Sequence, residues 1–311
     1  MDVLSDVVAV TRTGRPRSVQ VRWHAPWGQE FTSVPGSAGF QAILQGSCWL
    51  LPSNGQPVRL GAGDVVFLPH GNGHTLADSP ESLVTAPVCG PDDHEMYDAY
   101  ASDNVDRSGD GGPVTVVLCG AYELNPSRAH PLLLTLPDLI HVPALSDRHP
   151  ELRSAVALLA AELDNPRLGT DAVVPALLDT LLLYILRIWF KEQSAREDTT
   201  GWAAALNDPP ITAALHSIHR DPAAPWTVAK LAAEAGLSRA PFARRFAMLI
   251  GQPPLGYLTW WRMTTAARLL RASDAPLRSI AAQVGYTSEF AFAHAFKRTH
   301  GTPPGAYRRN S

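Results

Sequence analysis

Ser238-Arg-Ala-Pro-Phe242-Ala-Arg244-Arg245-Phe246 returns fifty residues later as Ser288-Glu-Phe-Ala-Phe292-Ala-His294-Ala-Phe296. Counted from each serine, Phe recurs at the fourth and eighth positions (Phe242 and Phe246; Phe292 and Phe296). Gly follows at the thirteenth (Gly251, Gly301), Pro-Pro at the fifteenth and sixteenth (Pro253-Pro254, Pro303-Pro304), and Tyr at the nineteenth (Tyr257, Tyr307). A register held over that span marks two copies of one structural unit.

Each copy reads as a helix-turn-helix. In the first, Thr227 caps a short helix in which Val228, Leu231, Ala232 and Ala235 fall at amphipathic spacing. Gly236 ends that helix with a left-handed residue, Leu237 packs inward and Ser238 caps the next helix. Pro241 lies in the first turn, where its missing N–H is tolerated. Phe242 and Phe246 are four apart and share the core-facing side. The second copy repeats this, with Leu277 to Val284 as first helix, Gly285-Tyr286-Thr287 as turn and Ser288 as cap. A second helix so presented lies along a DNA major groove. Between the copies, Leu255 to Arg271 forms a rod of about 25 Å, to be compared with about 34 Å for one turn of DNA.

Charge supports this reading. From 226 to 311 there are twelve Lys and Arg against Glu234, Asp274 and Glu289, a net +9. The whole chain carries −3, so the first 225 residues carry −12. A basic end beside an acidic body is the footprint of nucleic-acid binding.

Residues 226–309 resemble the DNA-binding domain of the AraC family of transcription regulators. The resemblance rests on Leu231-Ala-x-x-Ala-Gly-Leu-Ser238, Trp261-Arg262-Met263, Ile280-Ala281, Gly285-Tyr286-x-Ser288, Phe296-Lys297-Arg298 and Gly301-x-x-Pro304. It implies double-stranded promoter DNA as a partner, a small-molecule effector, a homodimer, and RNA polymerase where the regulator activates. With Phe242 and Phe246 inward, the first recognition helix shows Arg239, Ala240, Ala243 and Arg244 outward. Arg244 is the candidate for a bidentate contact to guanine, and Arg239 for a base or a phosphate. The matching positions of the second copy are Glu289, Phe290, Ala293 and His294, where the family often has Arg in place of His294. Lys297 and Arg298 are assigned to phosphates, as are the helix starts at Ser238 and Ser288.

The N-terminal half has another texture. Short β-type runs, Ser18–Trp23, Gly39–Leu44, Ser47–Leu51, Pro57–Leu60, Asp64–Leu68 and Val114–Leu118, alternate with Gly-rich turns and predict a sandwich or small barrel. Residues 1–17 show little periodicity. Gly63-x₅-Pro69-x-Gly71-x₂-His74 resembles the second cupin motif, with Asp78 where Asn is usual. Gln45 to Trp49 and Leu133-x-x-Leu136-Pro137 add to a likeness with the cupin-type sensory domain of one AraC subgroup. His24, His70 and His74 are available as metal or ligand contacts. The first cupin motif is missing, and Gln41 stands near the place of its first histidine, so a metal is not favoured and no cofactor is assigned. Cys89 is the candidate for a redox-active thiol, although Asp92 and Asp93 beside it disfavour a thiolate. Cys48 and Cys119 read as buried thiols within strands. Asp92 to Pro113 is acidic and Gly-rich and reads as a loop or short helix.

From Pro150 the period becomes helical. Leu152, Val156, Leu159 and Leu163 form one apolar stripe, and Leu178, Leu181, Leu182, Ile185, Ile188 and Trp189 form another. Two readings stand side by side, a homodimer seam, favoured on the family resemblance, and a cover for the barrel. The most apolar run, Ala176 to Phe190, is short for a bilayer and carries Asp179 and Arg187. No export signal opens the chain, so a cytoplasmic protein is expected.

The expected architecture is α+β. A cupin-like ligand-sensing barrel spans 1–148, a helical dimerisation connector with linker 149–200, and an all-α double helix-turn-helix domain 201–311. The expected function is a sequence-specific DNA-binding transcription regulator, an activator, and not an enzyme. The alternatives are a thiol-based redox regulator and a cupin metalloenzyme with an appended helical domain. A fragment from about Asp221 onward is expected to fold alone.

Overall fold

The structure is a computed structural model describing residues 2–11, 17–86, 88, 105–107, 112–123, 130–144, 148–195 and 200–309. It divides into two compact units that are not contiguous in sequence. One holds Arg12–Ala129 and Leu136–Trp189; the other holds Met1–Thr11, His130–Thr135 and Phe190–Ser311.

The first unit is built on two sheets. Strands β1 (Arg17–His24), β3 (Ser37–Gln45), β6 (Val65–Leu68), β8 (Val105–Arg107), β9 (Val114–Glu123) and β10 (Ile140–Val142) make a six-stranded sheet in the order β10-β6-β3-β9-β1-β8. Strands β2 (Gly28–Phe31), β4 (Ser47–Pro52), β5 (Val58–Gly61) and β7 (His74–Ala77) make a second sheet in the order β2-β7-β4-β5. Every pairing is antiparallel except β1 with β8. Val21, Ile43, Val66 and Val117 from the larger sheet and Cys48, Leu50, Leu60 and Leu76 from the smaller one share one core. Burial of alternate residues from both sheets produces the sandwich.

The larger sheet is buried on its other face too. Helices α3 (Pro150–Asp164) and α4 (Thr170–Ser194) provide partners there. Tyr122 Oη donates to the Leu178 carbonyl at 2.5 Å, and Gln20 Nε2 donates to Asp164 Oδ1 at 2.7 Å. Leu152, Leu159, Leu178, Leu181, Leu182, Ile185 and Ile188 are all buried within the single chain. Most of both stripes thus packs within the chain, while Val156, Leu163 and Trp189 are half-buried. Leu158, Leu168 and Val173 are what these helices leave exposed.

Helix α4 runs 25 residues, and an 18-residue window within it has a mean hydropathy of 1.8. It is long and apolar enough to cross a membrane by length and composition alone. Its apolar side is instead occupied by protein.

The second unit contains helices α5 (Gly201–Leu206), α6 (Pro209–Arg220), α7 (Val228–Glu234), α8 (Arg239–Ile250), α9 (Pro254–Ala272), α10 (Leu277–Gln283), α11 (Glu289–His300) and α12 (Pro304–Arg309). Two further helices from earlier in the chain join it, α1 (Val3–Thr11) and α2 (Pro131–Leu134). The unperiodic opening of the sequence is thus helical over α1. Its β-branched valines are poor helix formers, but Val3 and Val7 are buried, and Asp2 Oδ1 accepts from the Ser5 N–H at 3.0 Å.

A directed chain of hydrogen bonds runs through this unit's core. His130 Nδ1 accepts from the Leu132 N–H at 3.0 Å, which leaves the proton on Nε2 to donate to Tyr257 Oη at 3.0 Å. Tyr257 then donates to His219 Nε2 at 2.7 Å, and His219 Nδ1 donates to Asp6 Oδ2 at 3.0 Å. Trp261 stacks on His219 with ring centroids 3.9 Å apart. Burial lowers the pKa of both histidines; the Asp6 carboxylate pulls His219 partly back. Each proton has one donor and one acceptor, as buried polar groups require.

Candidate nucleic-acid interface and sensory cavity

Phe242, Phe246 and Ile250 of α8 are buried, as are Phe292, Ala295 and Phe296 of α11. That fixes each helix's outer side. Ser238, Arg239, Ala240 and Arg244 are exposed there and Ala243 is half-buried. Arg245 turns aside instead, its Nε 2.6 Å from Asp208 Oδ2, while Asp208 also accepts from the Ile211 N–H to cap α6. In the second copy Ser288, Glu289, Phe290, His294, Lys297 and Arg298 are exposed and Ala293 is half-buried. Phe290 is 74% exposed, with its ring against His294 at 4.7 Å.

The two helix starts differ. Ser288 Oγ accepts from the Ala291 N–H at 3.3 Å. Ser238 also occupies the cap position but its side chain makes no capping bond, contrary to expectation. The group a capping serine engages is the N–H two or three residues on. Three residues past Ser238 stands Pro241, which has none. Thr227 does cap α7, accepting from the Lys230 N–H at 3.2 Å.

The turn before the second recognition helix is tightly held. Gly285 has φ +80°, and a Cβ there would lie 2.8 Å from the Ala223 carbonyl oxygen. Arg262, part of the sequence resemblance, donates through Nε to the Pro222 carbonyl at 2.7 Å and through Nη2 to Ala224 at 2.9 Å. Its role is to brace this turn, not to reach outward.

The sandwich holds a partly open cavity of about 110 Å³. Val19, Val21, Trp23, Phe31, Leu68 and Cys119 supply apolar walls, and Gln29, Gln41, Asn72 and His74, with the hydroxyls of Ser18, Thr32 and Ser37, supply polar groups. Gln41 Nε2 lies 3.3 Å from His74 Nε2. Phe31 stacks face to face on the imidazole, centroids 4.6 Å apart. Burial pushes His74 down to about 4, so the ring is neutral at pH 7, with only a small opposing effect from the Asn72 backbone. His74 Nδ1 and Gln41 Oε1 have no hydrogen-bond partner of normal geometry.

The cupin-like motif explains how His74 arrives here. Gly71 has φ +64°, and a Cβ on it would come 2.0 Å from the Val34 carbonyl oxygen, so this tight turn needs glycine. Strand β7 then begins at His74 itself. Asp78, in the place of the usual Asn, accepts from the Trp27 N–H at 2.9 Å and from Ser82 Oγ at 2.8 Å.

Of the four residues singled out as ligand contacts, Gln41 and His74 meet in this cavity. His24 and His70 do not line it. His24 ends β1 opposite Val114, and His70 Nε2 lies 2.8 Å from the Leu136 carbonyl oxygen. Among the described residues no group of three or more His, Cys, Asp or Glu is placed to hold a metal ion. The residues present do not fit a cupin metal centre. Cys48 is buried and its thiol pushed up to about 12 by that burial, with Asp64 adding to the shift. Cys119 is buried in the cavity wall. Cys89 and most of the acidic stretch after it, with His94, Tyr97 and Tyr100, lie outside the described residues.

Comparison with known proteins follows the same division. A family described as "Cupin" matches residues 2–191 and one described as "Helix-turn-helix domain" matches residues 231–310. A "Putative AraC-like transcription regulator" of Streptomyces lividans is 37% identical over 100% of this chain and 99% of its own length. The chain belongs to the AraC-like transcription regulators. A second family member so named, from Streptomyces antibioticus, is 35% identical over 100% of this chain and 99% of its own. The DNA-binding domain of AdpA, solved in complex with a target DNA, is 35% identical over 33% of this chain and 92% of that one, with a TM-score of 0.32. The AraC-like chain is thus a helix-turn-helix, DNA-binding transcription regulator with a cupin-type N-terminal domain.

Proposed function

We propose that this regulator reads promoter DNA through the outer faces of α8 and α11 and is controlled by a small molecule held in the cavity of the β-sandwich. The observation that carries the DNA assignment is the position of Arg239 and Arg244, exposed opposite the buried Phe242 and Phe246. Arg244 makes the bidentate contact to guanine, since its planar fork matches the guanine edge in the major groove. Arg239, Lys297, Arg298 and the starts of α8 and α11 hold phosphates and set the register. Glu289, Phe290, Ala293 and His294 face the second half of the site, with Ala240 and Ala243 completing the first.

The protein works in the cytoplasm, as a homodimer on paired sites, and acts by binding without catalytic turnover. Leu158, Leu168 and Val173, the apolar residues left outside by α3 and α4, support a contact between copies. As an activator it contacts RNA polymerase.

The test is a map of genomic fragments bound by the purified full chain, followed by a library of variant sites. Arg244→Ala is expected to weaken specific binding by about 1–3 kcal/mol and to relax preference at one base pair. A variant with unchanged preference at every position would remove Arg244 from base readout.

A further inference from the structure

We infer that the sandwich cavity is made for an uncharged, mainly apolar molecule carrying one hydroxyl group, of about phenol size. This rests on the reading of the cavity as the effector site and names the chemistry it selects.

The size comes from the cavity itself, about 110 Å³, next to about 150 Å³ for an engineered apolar cavity that takes benzene. The absence of charge comes from the lining. Among the described residues no Lys, Arg, Asp or Glu lines it. A carboxylate or ammonium placed there would lose its hydration and gain no counter-ion. The walls otherwise suit a ring or short alkyl chain, with Val19, Val21, Trp23 and Leu68 around it.

The hydroxyl comes from Gln41. The residue is 3% exposed, its amide nitrogen is engaged by His74 at 3.3 Å, and its Oε1 has no partner among the described residues. A buried amide oxygen without a donor is a standing cost to the empty protein. A ligand O–H relieves it. Turning the amide end for end would put N–H donors into the cavity in place of the oxygen. A hydroxyl, both donor and acceptor, answers either arrangement. A purely apolar ligand answers neither and leaves the amide sealed from water.

The experiment measures the melting temperature and direct binding of the full-length protein with phenol, benzene and benzoate at matched concentrations, at pH 7.5. Phenol is expected to bind at least about tenfold more tightly than benzene, because only phenol pairs the amide. Benzoate is expected not to bind. In Gln41→Leu the preference should reverse, with benzene bound at least as well as phenol. Gln41→Glu, which keeps the shape but brings a charge, should lose both aromatic ligands and checks that folding survives changes at this position. Preference for benzoate, or a phenol-to-benzene ratio unmoved by Gln41→Leu, would overturn the ligand class and leave the effector site standing. If none of the three compounds binds, the ligand class and the effector site both fall.

Discussion

Replacing Asp6 should loosen helices that lie some two hundred residues away in sequence. The carboxylate is 2% exposed and accepts the His219 Nδ1–H at 3.0 Å. Asp6→Ala removes that acceptor and strands a buried N–H. Loss of a hydrogen bond to a charged group, with its donor left unpaired, costs about 3 kcal/mol, or roughly a hundredfold in an opening equilibrium. His219 also accepts from Tyr257, which in turn accepts from His130, so the defect reaches α2, α6 and α9 together. Hydrogen exchange followed by mass spectrometry resolves peptides from each. The expected result is exchange about a hundredfold faster in α6 and α9, with the strands of the sandwich unchanged. Asp6→Asn, which keeps an acceptor oxygen at the same place, should recover most of the protection. Unchanged exchange in α6 and α9 with Asp6→Ala would refute the argument that the chain of hydrogen bonds supports this unit.

Three further outcomes follow from other parts of the molecule. Ser288→Ala should destabilise by about 1 kcal/mol through loss of a cap, whereas Ser238→Ala should cost only a few tenths, because that hydroxyl makes no capping bond; thermal melts of the two variants compare them directly. The sandwich should lose stability as pH falls from about 6.5 to about 4, because the unfolded chain protonates His74 more readily than the folded one does. That stability is fully present above pH 6.5 and amounts to about 3 kcal/mol once lost. His74→Gln should flatten the curve, and a slope as steep as the parent's would count against His74 as its source. Finally, a fragment starting at Asp221 should be markedly less stable than one starting at Gly201 co-expressed with residues 1–11, since Ile211, Leu215, Ile218 and Trp202 are core residues of the same unit; denaturant titration of both fragments tests it.

The grouping of residues 1–11 and 190–220 with the basic C-terminal segment was not legible in the sequence. The double helix-turn-helix was legible because its determinants are local. Phe242 with Phe246, Phe292 with Phe296, and a glycine at each turn all lie within one short register. The sandwich was legible in part for the same reason, with six strands recognised from alternation. Strands β2, β7, β8 and β10 are only three or four residues long and lack the run of apolar residues that marked the equally short β6, and β8 falls in the stretch read as a loop or short helix. Helix α1 was not legible at all. Its valines argue against a helix, and what favours one, a buried place beside His219, lies at the far end of the sequence. In the cavity, the motif led to His74 and the missing histidine to Gln41. His24 and His70 could not be separated from them, because the direction of a ring at a Gly-rich turn depends on backbone angles the residue types do not state.

The stitching of Asp6 to His219 spans 213 positions of chain, and that distance has a consequence for how the protein is made. Helix α1, with Val3 and Val7 on its apolar side, is synthesised well before α6 and α9. Its partners in α6 and α9 are completed only after some 270 residues. At about 5–20 residues per second the wait is roughly 10–50 seconds. Throughout it Val3 and Val7 lack the partners that bury them, and a segment so short is not a stable helix by itself. A chain that stops early, anywhere before α9, never covers it. The burial of Val3 and Val7 therefore reports that α6 and α9, made long after them, are in place.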